Sequence, residues 1–145
     1  MNEIKNSDSD RPSSASGEKD KSLKIMVIDD SDLSRRSIIE SLESGGYKVV
    51  GEANSAAQSM QIIGSVPCNL FIIDVVMPEV SGIDLAKKLT ELLRDAYIIL
   101  MSSLHSENIV IDSISAGAVD FLPKPFSKDQ LLQAVAKVEA LILEK

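Results

Sequence analysis

Three aspartates and a lysine stand at the carboxyl ends of short apolar runs. Asp29 and Asp30 follow Ile25-Met26-Val27-Ile28, Asp74 follows Leu70-Phe71-Ile72-Ile73, and Lys124 comes soon after Val119-Asp120-Phe121-Leu122. A carboxylate cluster with one ammonium beside it suits a hard divalent cation and a phosphoryl group. Adjacent carboxylates such as Asp29 and Asp30 repel, so they are costly unless a cation shares them. Mg²⁺ fits, because it takes oxygen ligands and is held by one or two carboxylates while keeping several waters. A carboxylate held beside such a metal, as Asp74 would be, can attack phosphorus and give an acyl phosphate. Each residue also has a plainer use. One of the paired aspartates could cap the following helix, although Ser31 or Asp32 could do so instead. Ser102, with Ser103 beside it, could donate to a phosphoryl oxygen or simply cap the next helix. Lys124 suits phosphate as a compact point charge, or could be a solvated surface residue. Asp74 is too far from the next helix, which begins near Ser81, to cap it.

The elements that must bring these groups together are legible in the apolar pattern. Short apolar runs alternating with helix-like stretches predict buried parallel strands. The strands are expected at Lys24–Ile28, Tyr47–Glu52, Asn69–Ile73, Tyr97–Met101 and Val119–Leu122. The helices are expected from Ser31 to about Ser44, from Asn54 or Ser55 to about Ile63, and from Ser81 to about Leu93. Two more are expected from Ser106 to about Ala116 and from Ser127 to about Leu143. Leu33, Ile38 and Leu42 are the apolar residues of the first helix, and Ile83, Leu85, Leu89 and Leu92 in the third are available for burial. Gly45-Gly46 and Gly117 are helix stops. Met77-Pro78 fixes a turn after Asp74, Gly82 permits close packing, and the Lys124-Pro125 bond can be cis. Right-handed crossovers place helices on both faces of the sheet. The carboxyl ends of its strands then share one edge, where ligands bind in open α/β sheets.

Bulk properties narrow the classes. The chain has 145 residues, net charge −7, one cysteine and no tryptophan. This length favours one domain with a real core. The acidic balance argues against nucleic-acid binding. The single Cys68 forms no internal disulfide, which fits a reducing cytoplasm. No apolar stretch approaches the roughly 18 residues of a membrane span, and the N-terminus lacks the apolar core of a secretory signal. Residues 1–22 contain almost nothing to bury and are expected to be a disordered tail, leaving 23–145 as the folded domain. His105, the only histidine, is expected to be a solvated loop residue. There is no Cys/His set for zinc and no glycine cradle for a nucleotide.

From Leu23 to Glu144 the chain resembles the receiver domain of two-component response regulators. The match rests on Asp29-Asp30, Asp74 with Met77-Pro78 and Gly82, Ser102, Gly117-Ala118 and Lys124-Pro125-Phe126. The resemblance implies a flavodoxin-like (βα)5 doubly wound parallel sheet of strand order 2-1-3-4-5, an order shared by flavodoxin and a chemotaxis regulator. It implies that Asp74 accepts a phosphoryl group from a histidine kinase or a histidine phosphotransfer protein. Asp30, Asp74 and the Val76 backbone carbonyl would hold Mg²⁺, with Asp29 on a metal-bound water. Ser102 and Lys124 would bind phosphoryl oxygens. Phe121 matches the aromatic switch position, which turns inward as Ser102 moves toward the phosphate. The output would be a population shift in the face made by the fourth helix, fifth strand and fifth helix. Val76 and Leu104, two residues past Asp74 and Ser102, are apolar where many relatives carry polar groups that place a hydrolytic water. A comparatively long-lived phosphoryl state is therefore expected.

Three functions compete. The first is a stand-alone receiver that signals to a downstream effector, or forms a homodimer, through the fourth-helix to fifth-helix face. A variant is a phosphorelay intermediate. The second is a small magnesium-dependent aspartyl-phosphate phosphatase, but such enzymes place a second acid where this chain has Val76. The third is a degenerate receiver that only binds partners, against which the intact Asp29, Asp30, Asp74, Ser102 and Lys124 set argues.

Overall fold

The computed structural model describes residues 22–144, so the tail expected at 1–22 lies, apart from Ser22, outside the described residues. Among the described residues, five strands alternate with five helices. They are β1 (Lys24–Ile28), α1 (Asp32–Ser44), β2 (Lys48–Ala53), α2 (Ala56–Ile62), β3 (Leu70–Asp74) and α3 (Gly82–Leu92), then β4 (Tyr97–Ser102), α4 (Glu107–Ser115), β5 (Asp120–Pro123) and α5 (Lys128–Leu143). All strand pairs are parallel and the sheet order is β2-β1-β3-β4-β5, the doubly wound order expected from the sequence.

The strands are apolar on both faces because both faces are covered. Met26 and Ile28 of β1, Phe71 and Ile73 of β3, and Ile98 and Leu100 of β4 join Leu85 and Leu89 of α3 in one core layer. Their neighbours Ile25, Val27, Leu70, Ile72, Ile99 and Met101 face the other way, against Ile38 and Leu42 of α1 and Leu131, Val135 and Val138 of α5. The period-two alternation thus builds two cores around one sheet.

Several expectations shift. β3 and β4 run one residue further than anticipated, so Asp74 and Ser102 are the last residues of their strands and are buried. β2 and β5 likewise start and end one residue later. Leu33 is 81% exposed and Leu92 is also exposed, so neither belongs to the core. On α4, Ile109 and Val110 are half-buried while Ile111 and Ile114 face outward.

Serines start every helix. Ser31, Ser55, Ser81, Ser106 and Ser127 each accept a hydrogen bond from a backbone N–H in the first turn, satisfying a donor the helix cannot use itself. Neither paired aspartate caps α1, and Ser102 does not cap α4. At α5 the cap is reciprocal: Ser127 Oγ accepts from Gln130 N (3.0 Å) and Gln130 Oε1 accepts from Ser127 N (2.8 Å). Ser127→Ala should cost about 1 kcal/mol, read as a lower urea midpoint with an unchanged m-value. A midpoint equal to wild type would count against the cap. Gly46 (φ +89°) and Gly117 (φ +109°) follow α1 and α4 in conformations that favour glycine. Cys68 is a free, half-buried thiol that donates to the Leu70 carbonyl, and burial pushes its pKa up to about 12.

Candidate functional site

The strand register gathers the singled-out residues at one edge. Ile28 pairs with Ile73, so Asp29 emerges level with Asp74. Ser102 pairs with Pro123, so Lys124 emerges one step beyond Ser102, and its N–H donates to the Ser102 carbonyl (2.8 Å). Asp29, Asp30 and Asp74 each offer a carboxylate oxygen, and these atoms all lie within 4.8 Å of one another. Asp29 and Asp74 are buried and Asp30 is exposed. Such a donor set, all hard oxygen and partly open to solvent, suits Mg²⁺ with water completing its shell.

Asp29 is held on both oxygens. Oδ1 accepts from the Ser31 backbone N–H (2.9 Å), and Oδ2 accepts from Ser34 Oγ (2.6 Å) and Lys124 Nζ (2.9 Å). Lys124 Nζ also donates to Ser34 Oγ (3.1 Å) and pairs more loosely with Asp74 Oδ1 (3.6 Å). The Lys124-Pro125 peptide is cis. Ser102 Oγ accepts from the Leu104 N–H (2.9 Å), leaving its own proton free to be donated. Beside Lys124 opens a cavity of about 370 Å³ lined by Ser34, Ser37, Ile38, Ser103, Lys124, Pro125 and Phe126.

Burial pushes the Asp74 carboxyl up to about 6. Lys124 opposes that shift, while the charges of Asp29 and Asp30 add to it. In the absence of a cation, the pocket therefore disfavours the third carboxylate charge.

Sequence reasoning missed two contributors. Ser34 joins Asp29 to Lys124, as described. Arg35 donates from Nη1 to the Asp29 carbonyl (2.6 Å), from Nη2 to Asp32 (2.6 Å) and from Nε to Glu52 (2.7 Å), clamping the end of β1 to α1 and β2. Both lie on the first turn of α1. The available signal was their spacing of three and four residues from the Ser31 cap, which turns them back toward the strand end. Phe121, by contrast, is half-buried and packs against the α3-side core. His105 is exposed on the loop after β4.

A five-stranded parallel sheet of this order, with an acidic cluster and a lysine at its carboxyl edge, defines a doubly wound α/β domain with an oxygen-rich cation site. Residues 25–136 match the response regulator receiver domain. The chain is 36% identical over 114 residues to the chemotaxis protein CheY of Bacillus subtilis, covering 79% of this chain and 95% of that protein. It is 30% identical to the CheY of Thermotoga maritima over 79% of this chain and 96% of that one. Among solved structures it resembles the receiver domain of the response regulator NarL from Mycobacterium tuberculosis. That likeness has a TM-score of 0.76 and 26% identity, over 82% of this chain and 97% of that one. A CheY-like receiver from Methanospirillum hungatei shares the fold, with a TM-score of 0.78 and 24% identity over 85% and 98% of the two chains. The chain belongs to the response regulator receiver family. Among the described residues, no helix is long and apolar enough to cross a membrane.

Proposed function

We infer that this protein is a phosphorylation-switched receiver in which Asp74 accepts the phosphoryl group. The observation that carries the reading is the convergence of Asp29, Asp30 and Asp74 within 4.8 Å, with Lys124 3.6 Å from Asp74. A carboxylate oxygen of Asp74 forms a bond to phosphorus as the donor's phosphorus–nitrogen bond breaks, and the imidazole leaves with the electron pair. The donor is the phosphohistidine of a histidine kinase or of a histidine phosphotransfer protein. Asp30, Asp74 and the Val76 carbonyl would hold Mg²⁺, with Asp29 as the supporting carboxylate beside them. Mg²⁺ supplies positive charge against that of the transferred phosphoryl group. Lys124 supplies a second, movable positive charge, and Ser102 a hydroxyl proton. Phosphorylation adds about −1.5 to −2 charges and three acceptor oxygens, which draw both side chains toward Asp74. Phe121, at the aromatic switch position, follows that movement. The α4, β5 and α5 surface, with Ile111 and Ile114 exposed on α4, then reads the change out to an effector or a second copy.

The test is intact-mass measurement after incubation with Mg²⁺ and a small acyl phosphate, comparing wild type with Asp74→Ala. A phosphate-sized gain is expected only with Mg²⁺ and only in wild type. A gain in Asp74→Ala would move the acceptor elsewhere, and no gain in wild type would leave a binding module. Val76 and Leu104 are 48% and 57% exposed. Neither can hydrogen-bond an attacking water, so the gain should decay more slowly than in a Val76→Asn variant. Faster decay in wild type, or continuous turnover of an added phosphomonoester, would favour phosphatase chemistry.

A further inference from the structure

Lys124 has three N–H donors, and the structure shows how they are shared. The shortest contact goes to Asp29 Oδ2 (2.9 Å), the next to Ser34 Oγ (3.1 Å), and Asp74 Oδ1 is furthest at 3.6 Å. Ser34 has one hydroxyl proton, and the 2.6 Å contact commits it to Asp29 Oδ2. Its lone pairs are thereby turned toward the ammonium. Asp29, Ser34 and Lys124 close a three-membered ring of charge-assisted hydrogen bonds, in which Ser34 is both donor and acceptor. The ring lies on the Asp29 side of the pocket, and its geometry draws the ammonium away from Asp74.

We propose that Ser34 is a positioning residue for the phosphoryl chemistry: its hydroxyl parks Lys124 on Asp29 in the unphosphorylated protein. The inference rests on the reading of Asp74 as the acceptor. To engage a phosphoryl oxygen on Asp74, Lys124 must slacken its bonds to Ser34 and Asp29. The Ser34 contact therefore stabilises the resting arrangement more than the phosphoryl-bound one. Removing the hydroxyl should tilt the balance toward the bound state. Ser34 touches neither phosphorus nor the acceptor, so it acts only through Lys124 and Asp29.

The experiment uses the full chain and beryllofluoride, a tetrahedral phosphoryl mimic, titrated with Mg²⁺ present and followed by backbone amide NMR. Ser34→Ala is expected to bind about 5- to 10-fold more tightly than wild type, the size of one ordinary hydrogen bond lost from the resting state alone. Ser34→Thr keeps the hydroxyl, and the adjoining cavity has room for its methyl group, so it should bind as wild type does. A second readout needs neither metal nor mimic. The Lys124 ammonium resonance, sharpened in wild type and Ser34→Thr by its hydrogen bonds, should broaden by solvent exchange in Ser34→Ala. Alanine is a strong helix former, and a thermal melt checks that the variant folds. Equal affinities for wild type and Ser34→Ala, weaker binding by Ser34→Ala, or an unchanged ammonium signal would each overturn the assignment. If wild type itself fails to bind beryllofluoride with Mg²⁺, it is the acceptor-site reading that fails. The ammonium signal then decides the Ser34 contact separately.

Discussion

Gly82→Ala is expected to lower stability by about 2–4 kcal/mol, a loss large for one methyl group. Gly82 is buried at the first position of α3, and its N–H donates to the Val75 carbonyl (2.8 Å). A Cβ there would overlap the Asp74 carbonyl oxygen and come within 2.9 Å of Val75 Cα. Both are backbone atoms at the strand end that carries Asp74, so no side-chain rotation relieves the contact. Relief requires α3 to back away from β3, breaking the Gly82–Val75 bond and disturbing the packing of Leu85 and Leu89 beneath it. Urea denaturation of Gly82→Ala measures the loss. Gly64→Ala is the control, because a Cβ at Gly64 meets nothing within 4 Å; it should stay within about 0.5 kcal/mol of wild type. Equal effects at the two positions would mean that the close approach at Gly82 carries no cost.

That close approach was legible in outline. Met77-Pro78 and Gly82 already marked a fixed turn and a tight spot after Asp74. The convergence of Asp29, Asp30, Asp74, Ser102 and Lys124 was legible because it follows from topology alone: parallel strands end at one edge. Side-chain phase within a helix was harder. Ile38 and Leu42 form the buried stripe of α1, whereas Leu33 lies about 140° around the helix from Ile38 at roughly 100° per residue. Apolar character alone does not separate Leu33 from Ile38 and Leu42; the angle around the helix does. The same angular reading was needed to see that Ser34 and Arg35 turn back onto the end of β1. Leu92, the last residue of α3, is exposed although Leu93 beside it packs against the core. The hydrogen-bond ring around Asp29 depends on ångström-scale distances that no spacing rule supplies.

Asp74→Asn should make the magnesium-free protein more stable than wild type at pH 7.5, by about 2–3 kcal/mol. The cause is the cost of a third buried carboxylate charge. Burial, with the charges of Asp29 and Asp30 and against the pull of Lys124, raises the Asp74 carboxyl from an ordinary 3.8 to about 6. That is about two units at roughly 1.4 kcal/mol each. The sign follows from proton counting. Between the unfolded and folded values the native state binds more protons than the unfolded chain, so wild-type stability falls as pH rises through that window. Above pH 6 the whole cost is present, and below pH 4 it is gone. The gap between Asp74→Asn and wild type should therefore be widest above pH 6 and close toward pH 4, whatever the other groups do in common. Thermal melts in a chelator across pH 4–8 read it, as a difference of roughly 10 °C at neutral pH that disappears in acid. Magnesium should act in the opposite sense. Binding to the native carboxylates stabilises by mass action, so added Mg²⁺ should raise the wild-type melting temperature at pH 7.5 more than that of Asp74→Asn. A gap independent of pH would show that Asp74 is not strained in the native state. A gap that closes with Mg²⁺ would identify its cost as that of a charge kept ready for a cation.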